Sequence, residues 1–433
     1  MQEIRTPGMQ SVVLSTKSLS DYAPVVGEDV IAELERLARP LQGARVLHIN
    51  ATAYGGGVAE MLHTLVPLMR SIGFEAEWRV ISGYDEFFNV TKSMHNALQG
   101  MSLELTPAMR AHYLHANVDN AVYLEDEFDY VIVHDPQPAP LRMLRPNDPG
   151  KWIWRCHIDL TAANPVYWDF LRPFVEKYDA AIFTMQQYVK KDLKIGEIAL
   201  IPPAIDPLSP KNAPMPEDEV RRIVTMYGVD TERPVLVQVS RFDPWKDPLG
   251  VIDVYRAVKK EYPGVQLVMV GSMAHDDPEG MEYYQRTKDY AGDDPDVKLL
   301  SNLDGVGNVE VNAFQRIADV VLQKSLREGF GLTVAEGLWK GKPVIGGNVG
   351  GIPLQIQDGV TGYLVNSVEE CTERALEIMR HPEKAREMGE RGREDVRHKF
   401  LSTANLRHYL NLFNSLAGNK IEPEAQQREL THA

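Results

Sequence analysis

The chain has 433 residues, a formal charge of −15 and an apolar content of 44 %, the composition of a globular protein too long for one ordinary core, so two or three domains are expected. So acidic a chain lacks the cationic surface that general nucleic-acid or anionic-membrane binding requires, and neither partner is expected. No apolar run approaches a membrane span, and the polar start from Met1 to Pro7 has no signal-peptide core, which points to the cytoplasm.

The first clear strand is Arg45 to Asn50, which runs into Gly55-Gly56-Gly57 and an apolar helix from Val58 to about Ser71. Strand, glycine turn and helix open a doubly wound α/β domain. Glu60 stands where the dinucleotide fingerprint needs its third glycine, so a nicotinamide or flavin cofactor is not expected. Further buried strands read at Trp78 to Ile81, Tyr130 to Val133, Trp152 to Arg155 and Ala180 to Phe183, with helical stretches between them. That alternation predicts a largely parallel sheet. Residues 201 to 216 carry too many prolines for a helix or a central strand and read as an interdomain linker. A second doubly wound domain follows, with strands near Val235 to Val239, Gln266 to Val270, Val297 to Leu300, Val320 to Leu322 and Pro343 to Ile345. Ser402 to Leu416 reads as a C-terminal helix, and the polar tail beyond it as disordered.

Cys156 and Cys371 are far apart and read as buried free thiols. None of the twelve histidines falls in a metal-ligand spacing. Asp294-Pro295-Asp296 lies in a turn-like cluster before a strand and reads as a plain turn, so no metal is expected.

The stretch Arg327-Glu328-Gly329-Phe330-Gly331-Leu332-Thr333-Val334-Ala335-Glu336-Gly337 sets two carboxylates at either end of a glycine-rich turn leading into a helix. Amides at such a helix start favour an anion, so the turn reads as a phosphate seat. Upstream, the strand Val235 to Val239 runs into Ser240-Arg241-Phe242-Asp243-Pro244-Trp245-Lys246-Asp247. Ligands of open α/β sheets lie beyond strand carboxyl ends, where Arg241 and Lys246 fall, and two cations there suit a diphosphate. The plain structural alternative makes them solvated loop charges and leaves Glu328 and Glu336 as helix caps. Phosphates flanked by hydroxyl-rich groups describe a nucleotide sugar.

This Glu-x7-Glu pattern behind a basic pair resembles the donor site of the retaining glycosyltransferases of family 4. Their fold, GT-B, has two Rossmann-like domains facing across a cleft, with a C-terminal helix crossing back. The resemblance implies an N-terminal acceptor domain over 1–205, a nucleotide-sugar domain over 206–395, a returning helical segment over 396–418 and a tail over 419–433. Carried over residue by residue, it implies that Arg241 and Lys246 hold the diphosphate, Glu336 the ribose hydroxyls, and Glu328 the transferred sugar. The amides of Phe330, Gly331 and Leu332 would contact that sugar or the phosphates, with Gly56 and Gly57 close to the donor. His157, in His157-Ile158-Asp159 after a strand, resembles the family histidine near the donor sugar's primary hydroxyl. Asp135, Asp159 and Lys92 are the remaining acceptor-binding candidates.

The segments Gly55 to Leu62, Glu86 to Lys92, His134 to Pro138, Arg155 to Leu160 and Met273 to Gly280 resemble the glycosyltransferring trehalose synthases more specifically, and the likeness runs from about Asp21 to Leu416. The implied reaction joins nucleoside-diphosphate glucose to free glucose, reversibly and with retention, giving trehalose. It needs no further cofactor, and such enzymes are commonly homodimers. No residue stands out as a nucleophile: front-face attack, with a donor phosphate oxygen taking the acceptor proton, is the implied route and double displacement its alternative. Trehalose phosphorylases share much of the pattern with phosphate in place of nucleotide. Glu336, as a ribose grip, favours the synthase. A non-catalytic sugar-nucleotide sensor would need only the binding half. ADP, GDP and UDP would all be held through diphosphate and ribose.

Overall fold

The structure is a computed structural model that describes residues 8–271 and 278–419. The polar start Met1 to Pro7, residues Met273 to Asp277 of the segment singled out above, and the tail from 420 on lie outside the described residues. The chain forms two compact units, one of Met1–Pro203 with Ser402–Ala433 and one of Ala204–Leu401.

The first unit carries a seven-stranded sheet of β1 (Gln10–Ser11), β2 (Arg45–Asn50), β3 (Glu75–Val80), β4 (Tyr130–His134), β5 (Lys151–Arg155), β6 (Ala180–Phe183) and β7 (Glu197–Leu200), in the order β1-β3-β2-β4-β5-β6-β7. Only β1 pairs antiparallel. The short edge strands β1 and β7 are not apparent in the sequence, because an edge exposed on one side needs no continuous apolar run. Side chains alternate across each strand. Leu47, Ile49, Val131, Val133, Trp152, Trp154, Ala181 and Phe183 enter one apolar cluster. Alternate positions such as His48, His134 and Arg155 lie on the opposite face, and all three are buried.

The C-terminal helix Ser402–Leu416 covers that opposite face. Phe413 stacks on Tyr130 with ring centroids 4.3 Å apart, Tyr409 meets His48 edge-on at 6.0 Å, and Asn414 Nδ2 donates to the Leu37 carbonyl. Arg407 pairs with Glu33 at 2.8 Å, and Asn405 Nδ2 donates to the Pro202 carbonyl. A helix whose Leu406, Tyr409, Leu410 and Phe413 are all buried is thus part of the first unit's core.

The second unit has a six-stranded, wholly parallel sheet of β8 (Val235–Val239), β9 (Gln266–Gly271), β10 (Val297–Ser301), β11 (Val320–Gln323), β12 (Val344–Gly347) and β13 (Tyr363–Val365), in the order β10-β9-β8-β11-β12-β13. Order reverses between β8 and β11, the place where doubly wound sheets bind ligands.

Two expectations change. The second crossing between units falls at Leu401, not 395, because residues 396–399 complete the helix Pro382–Lys399, Phe400 packs on Phe330 at 5.6 Å, and Leu401 bridges to Ile205. Nor are residues 204 to 216 a free linker. Asn312 Nδ2 donates to the carbonyls of Pro210 and Ala213, Arg316 Nη2 to those of Asn212 and Ala213, and Lys340 Nζ to Asn212 Oδ1. The prolines make this segment irregular, and the hydrogen bonds fasten it to the second unit.

Candidate active site

In the second unit, β8 ends at Val239 and the chain turns through Arg241 to Asp247 before the helix Pro248–Lys259. Asp243 Oδ1 accepts from the Trp245 and Lys246 amides at 2.9 and 3.1 Å, and Gln238 Nε2 on the strand donates to the Lys246 carbonyl at 2.8 Å. These bonds fix where Lys246 stands. Asp247, at φ 49°, takes a left-handed backbone, caps Gly250 and pairs with buried Lys324. A strained non-glycine residue at a strand-end turn marks a place where the surroundings over-determine the backbone.

β11 ends at Gln323 and leads through Glu328 to the helix Leu332–Trp339. Gly331 caps that helix at φ 83°, and a Cβ there would lie 3.1 Å from the Glu328 side chain, so glycine is strongly favoured. Glu328 Oε2 accepts from Lys246 Nζ at 2.5 Å, with Gln323 Nε2 at 3.5 Å and Ser325 Oγ at 3.4 Å. Thus β8 and β11, adjacent in the sheet, bring Lys246 and Glu328 together. Arg241 is 68 % exposed and paired with Asp243 at 3.0 Å, while Lys246 is only 14 % exposed. The Phe330 ring is buried and its carbonyl accepts from Gln355 at 2.6 Å, while Gly331 caps the helix that begins at Leu332. Helix geometry gives the first amides no intrahelical partner. The same turns carry Trp245, with the Arg327 guanidinium 4.5 Å from its ring centre, and Lys324, paired with Asp247. Arg327 and Trp245 lie inside the two sequence motifs, the only signal for them in the sequence.

Glu336 departs from expectation. Its side chain is 0 % exposed, Oε1 lies 2.8 Å from Lys211 Nζ, and Oε2 accepts from Gln315 at 3.0 Å. Burial acts to raise this carboxyl, but Lys211 and Lys340 outweigh it and hold it below the usual range. As it stands the carboxylate is part of the second unit's interior, held between Lys211 and Gln315 and not turned to a surface. Spacing along the helix did not reveal this because Lys211 comes from the proline-rich segment.

Asp294-Pro295-Asp296 is a turn: the Asp296 amide donates to Asp294 Oδ1, and both carboxylates hold Lys259 at 3.0 Å. Among the described residues no group of three or more His, Cys, Asp and Glu is placed to hold a metal ion, and no helix is long and apolar enough to cross a membrane. Cys156 and Cys371 are buried free thiols.

In the first unit the helix after β2 begins at Gly56, with Gly55 and Gly56 at φ 72° and 76° and Gly57 already helical. Asp135 follows β4 at φ 62°, a conformation held by its amide to the Arg155 carbonyl at 2.8 Å and by Trp154 Nε1 to its own carbonyl at 2.9 Å. Asp135 Oδ1 accepts from the His157 amide at 2.8 Å, so the two candidates touch. Burial pushes the Asp135 carboxyl up to about 7, against the His157 amide and the Arg155 charge. His157 Nε2 bonds His134 Nδ1 at 2.9 Å. The other two candidates are not joined to this pair. Asp159 closes its own turn, Oδ1 accepting from the amide and hydroxyl of Thr161, and Lys92 is exposed on the helix Asp85–Leu98.

Comparison with known proteins accords with this architecture. Residues 48–190 match the family described as trehalose synthase, N-terminal domain, and residues 221–395 match glycosyl transferases group 1. A trehalose synthase of Rubrobacter xylanophilus is 53 % identical over 415 residues, covering 95 % of this chain and all of that one. A trehalose synthase of Pyrococcus horikoshii is 52 % identical over 405 residues, 93 % of this chain and 97 % of that one. A trehalose phosphorylase of Pleurotus pulmonarius is 28 % identical over 399 residues, 80 % of this chain but 54 % of that one. Among solved structures, the sucrose-phosphate synthase of Thermosynechococcus elongatus superposes with a TM-score of 0.69 at 17 % identity, covering 87 % of this chain and 99 % of that one, a likeness of fold alone. With GT-B glycosyltransferases as its structural neighbours and near-complete alignment to two trehalose synthases, the chain belongs to the trehalose synthase family.

Proposed function

We propose that the protein is a retaining glucosyltransferase that moves glucose reversibly between a nucleoside diphosphate and free glucose, making trehalose in one direction. The observation that carries the proposal is the grouping of Lys246, Glu328, Arg241 and the Leu332 helix start at the ends of β8 and β11, at the sheet's point of reversal. In this reading Lys246 leaves Glu328 for the donor's diphosphate, with Arg241 and the helix-start amides adding to the positive field. Charge building on the departing diphosphate is then met by groups already in place. Glu328, released from Lys246, accepts hydroxyls of the transferred sugar. In the first unit Asp135 accepts from a hydroxyl of the acceptor glucose, and His157, hydrogen-bonded through its amide to Asp135, meets a sugar hydroxyl. Because Arg241 and Lys246 supply the charge a divalent ion would otherwise bring, the reaction is proposed to run in EDTA.

Phosphorolysis is the second reading, and the covered position of Glu336 removes the argument that a ribose grip made against it. The likeness to trehalose synthases, at 53 % identity over 95 % of the chain against 28 % over 80 % for the phosphorylase, favours a synthase over a phosphorylase. The test is to incubate the protein, in EDTA, with trehalose and either ADP, GDP, UDP or inorganic phosphate, and to identify the sugar product. Nucleoside-diphosphate glucose is expected. Glucose 1-phosphate formed only with inorganic phosphate would replace this reading by the phosphorylase, and no turnover with any would favour a binding protein.

A further inference from the structure

Three histidine rings of the first unit form a row. His48 Nδ1 lies 3.0 Å from His134 Nε2, and His134 Nδ1 lies 2.9 Å from His157 Nε2. Successive rings are stacked with centroids 5.3 Å apart at both steps, tilted by 29° and 11°. The row exists because β2, β4 and β5 are neighbours in the sheet, so that His48 on β2, His134 at the end of β4 and His157 just past β5 share one face. His48 and His134 are 0 % and 1 % exposed, and His157 is half-buried.

All three rings are neutral near pH 7. Burial pushes His48 down to about 3 and holds His134 and His157 well below the ordinary histidine value, with the charge of buried Arg155 acting on both in the same direction. A neutral imidazole has one N–H and one lone pair, and each contact in the row needs one of each. The protons must therefore run the same way through the row, and the state of one ring sets the other two. If they run inward, the last N–H falls on His48 Nε2, which is buried and finds no hydrogen-bond partner among the described residues. If they run outward, His48 Nε2 carries a lone pair, His134 donates to His157 Nε2, and His157 presents Nδ1–H. An orphaned buried N–H is the rarer and costlier ending, so the outward array wins.

We propose that His48 and His134 are positioning residues that hold His157 in its Nδ1–H tautomer, so that His157 meets a sugar hydroxyl as a hydrogen-bond donor and not as a base. The proposal rests on the reading of His157 as a substrate-facing residue.

The test begins with the wild-type protein, histidine-labelled with 15N, at pH 7. The ring nitrogens of His157 should read as protonated at Nδ1 and bare at Nε2, the opposite pattern overturning the proposal without any variant. His48→Phe keeps a ring in the stack and removes the hydrogen bond. It should mix the His157 tautomers and lower kcat roughly three- to tenfold with KM for the nucleotide unchanged, and His48→Gln, whose amide can again donate to His134, should recover most of the loss. His157→Ala separates the two layers of the argument. An impaired His157→Ala beside a His48→Phe unchanged in both tautomer and kcat overturns the row alone, whereas a fully active His157→Ala overturns the substrate-facing reading itself.

Discussion

The two units meet their proposed ligands by opposite means. In the second unit the working groups are charged, stand in turns just past β8 and β11, and are paired with one another: Lys246 with Glu328, Arg241 with Asp243, Lys324 with Asp247. In the first unit they are sunk on β2 and at the ends of β4 and β5 and carry little charge, with three neutral histidines and an Asp135 carboxyl pushed up to about 7 by burial. A diphosphate calls for mobile cations that exchange a carboxylate for a phosphate. A neutral sugar calls for fixed donors and acceptors, which burial and backbone constraint supply. The contrast also orders the expected effects of substitution.

The largest effect is expected at Lys246. Lys246→Ala should lower kcat by about a hundred- to a thousandfold with the fold intact, since it removes a nearly buried charge aimed at the leaving group. Arg241→Ala should cost less, on the order of tenfold, because an exposed, screened cation contributes less. Steady-state rates at saturating donor check both, and equal losses would erase the distinction between a buried and an exposed member of the pair. Next comes Glu336. Removing its carboxylate leaves Lys211 without its buried partner, so Glu336→Ala should lower unfolding stability by roughly 3 kcal/mol in urea titrations, an effect that a surface ribose grip would not have. An unchanged midpoint would put that carboxylate back at the surface.

A smaller, pH-dependent effect is expected at Asp135. If its ionised form accepts the acceptor's hydroxyl, kcat/KM should fall about tenfold per unit as pH drops below about 7, the value to which burial raises it, and Asp135→Asn should be flat over the same range at a lower level. A limb that persists in Asp135→Asn belongs to another group. The smallest effect is on acid stability. His48, pushed by burial from 6.5 to about 3, contributes stability that is present above pH 6.5 and lost as pH falls toward 3, because the unfolded chain takes up a proton there and the folded one does not. Asp135 acts with the opposite sign, its share present at low pH and lost as pH rises through about 7. Between pH 7 and pH 5 these two contributions offset each other, so the readable outcome is the difference: the urea midpoint of His48→Phe should fall less, or rise more, than that of the wild-type protein.

What the sequence by itself determined is whatever covalent neighbours can do. The strands Val235 to Val239 and Tyr130 to His134 are short apolar runs that only a buried parallel sheet accommodates, and the turn from Glu328 through Gly331 into Leu332 is one local unit whose geometry follows from its own glycines. That is why the basic turn, the glycine-rich turn and the C-terminal helix Ser402–Leu416 were all legible. Tertiary structure alone decided which of those residues meet. Lys246 and Glu328 are 82 positions apart, His48 and His134 are 86, and both pairs exist only because crossovers place β8 beside β11 and β2 beside β4. The same holds for Glu336, whose place on the helix reads as a ligand-facing carboxylate, whereas the segment around Lys211 is bonded down over it. Strand order and the docking of irregular segments are set by the summed burial of the whole chain, which no local window of sequence contains.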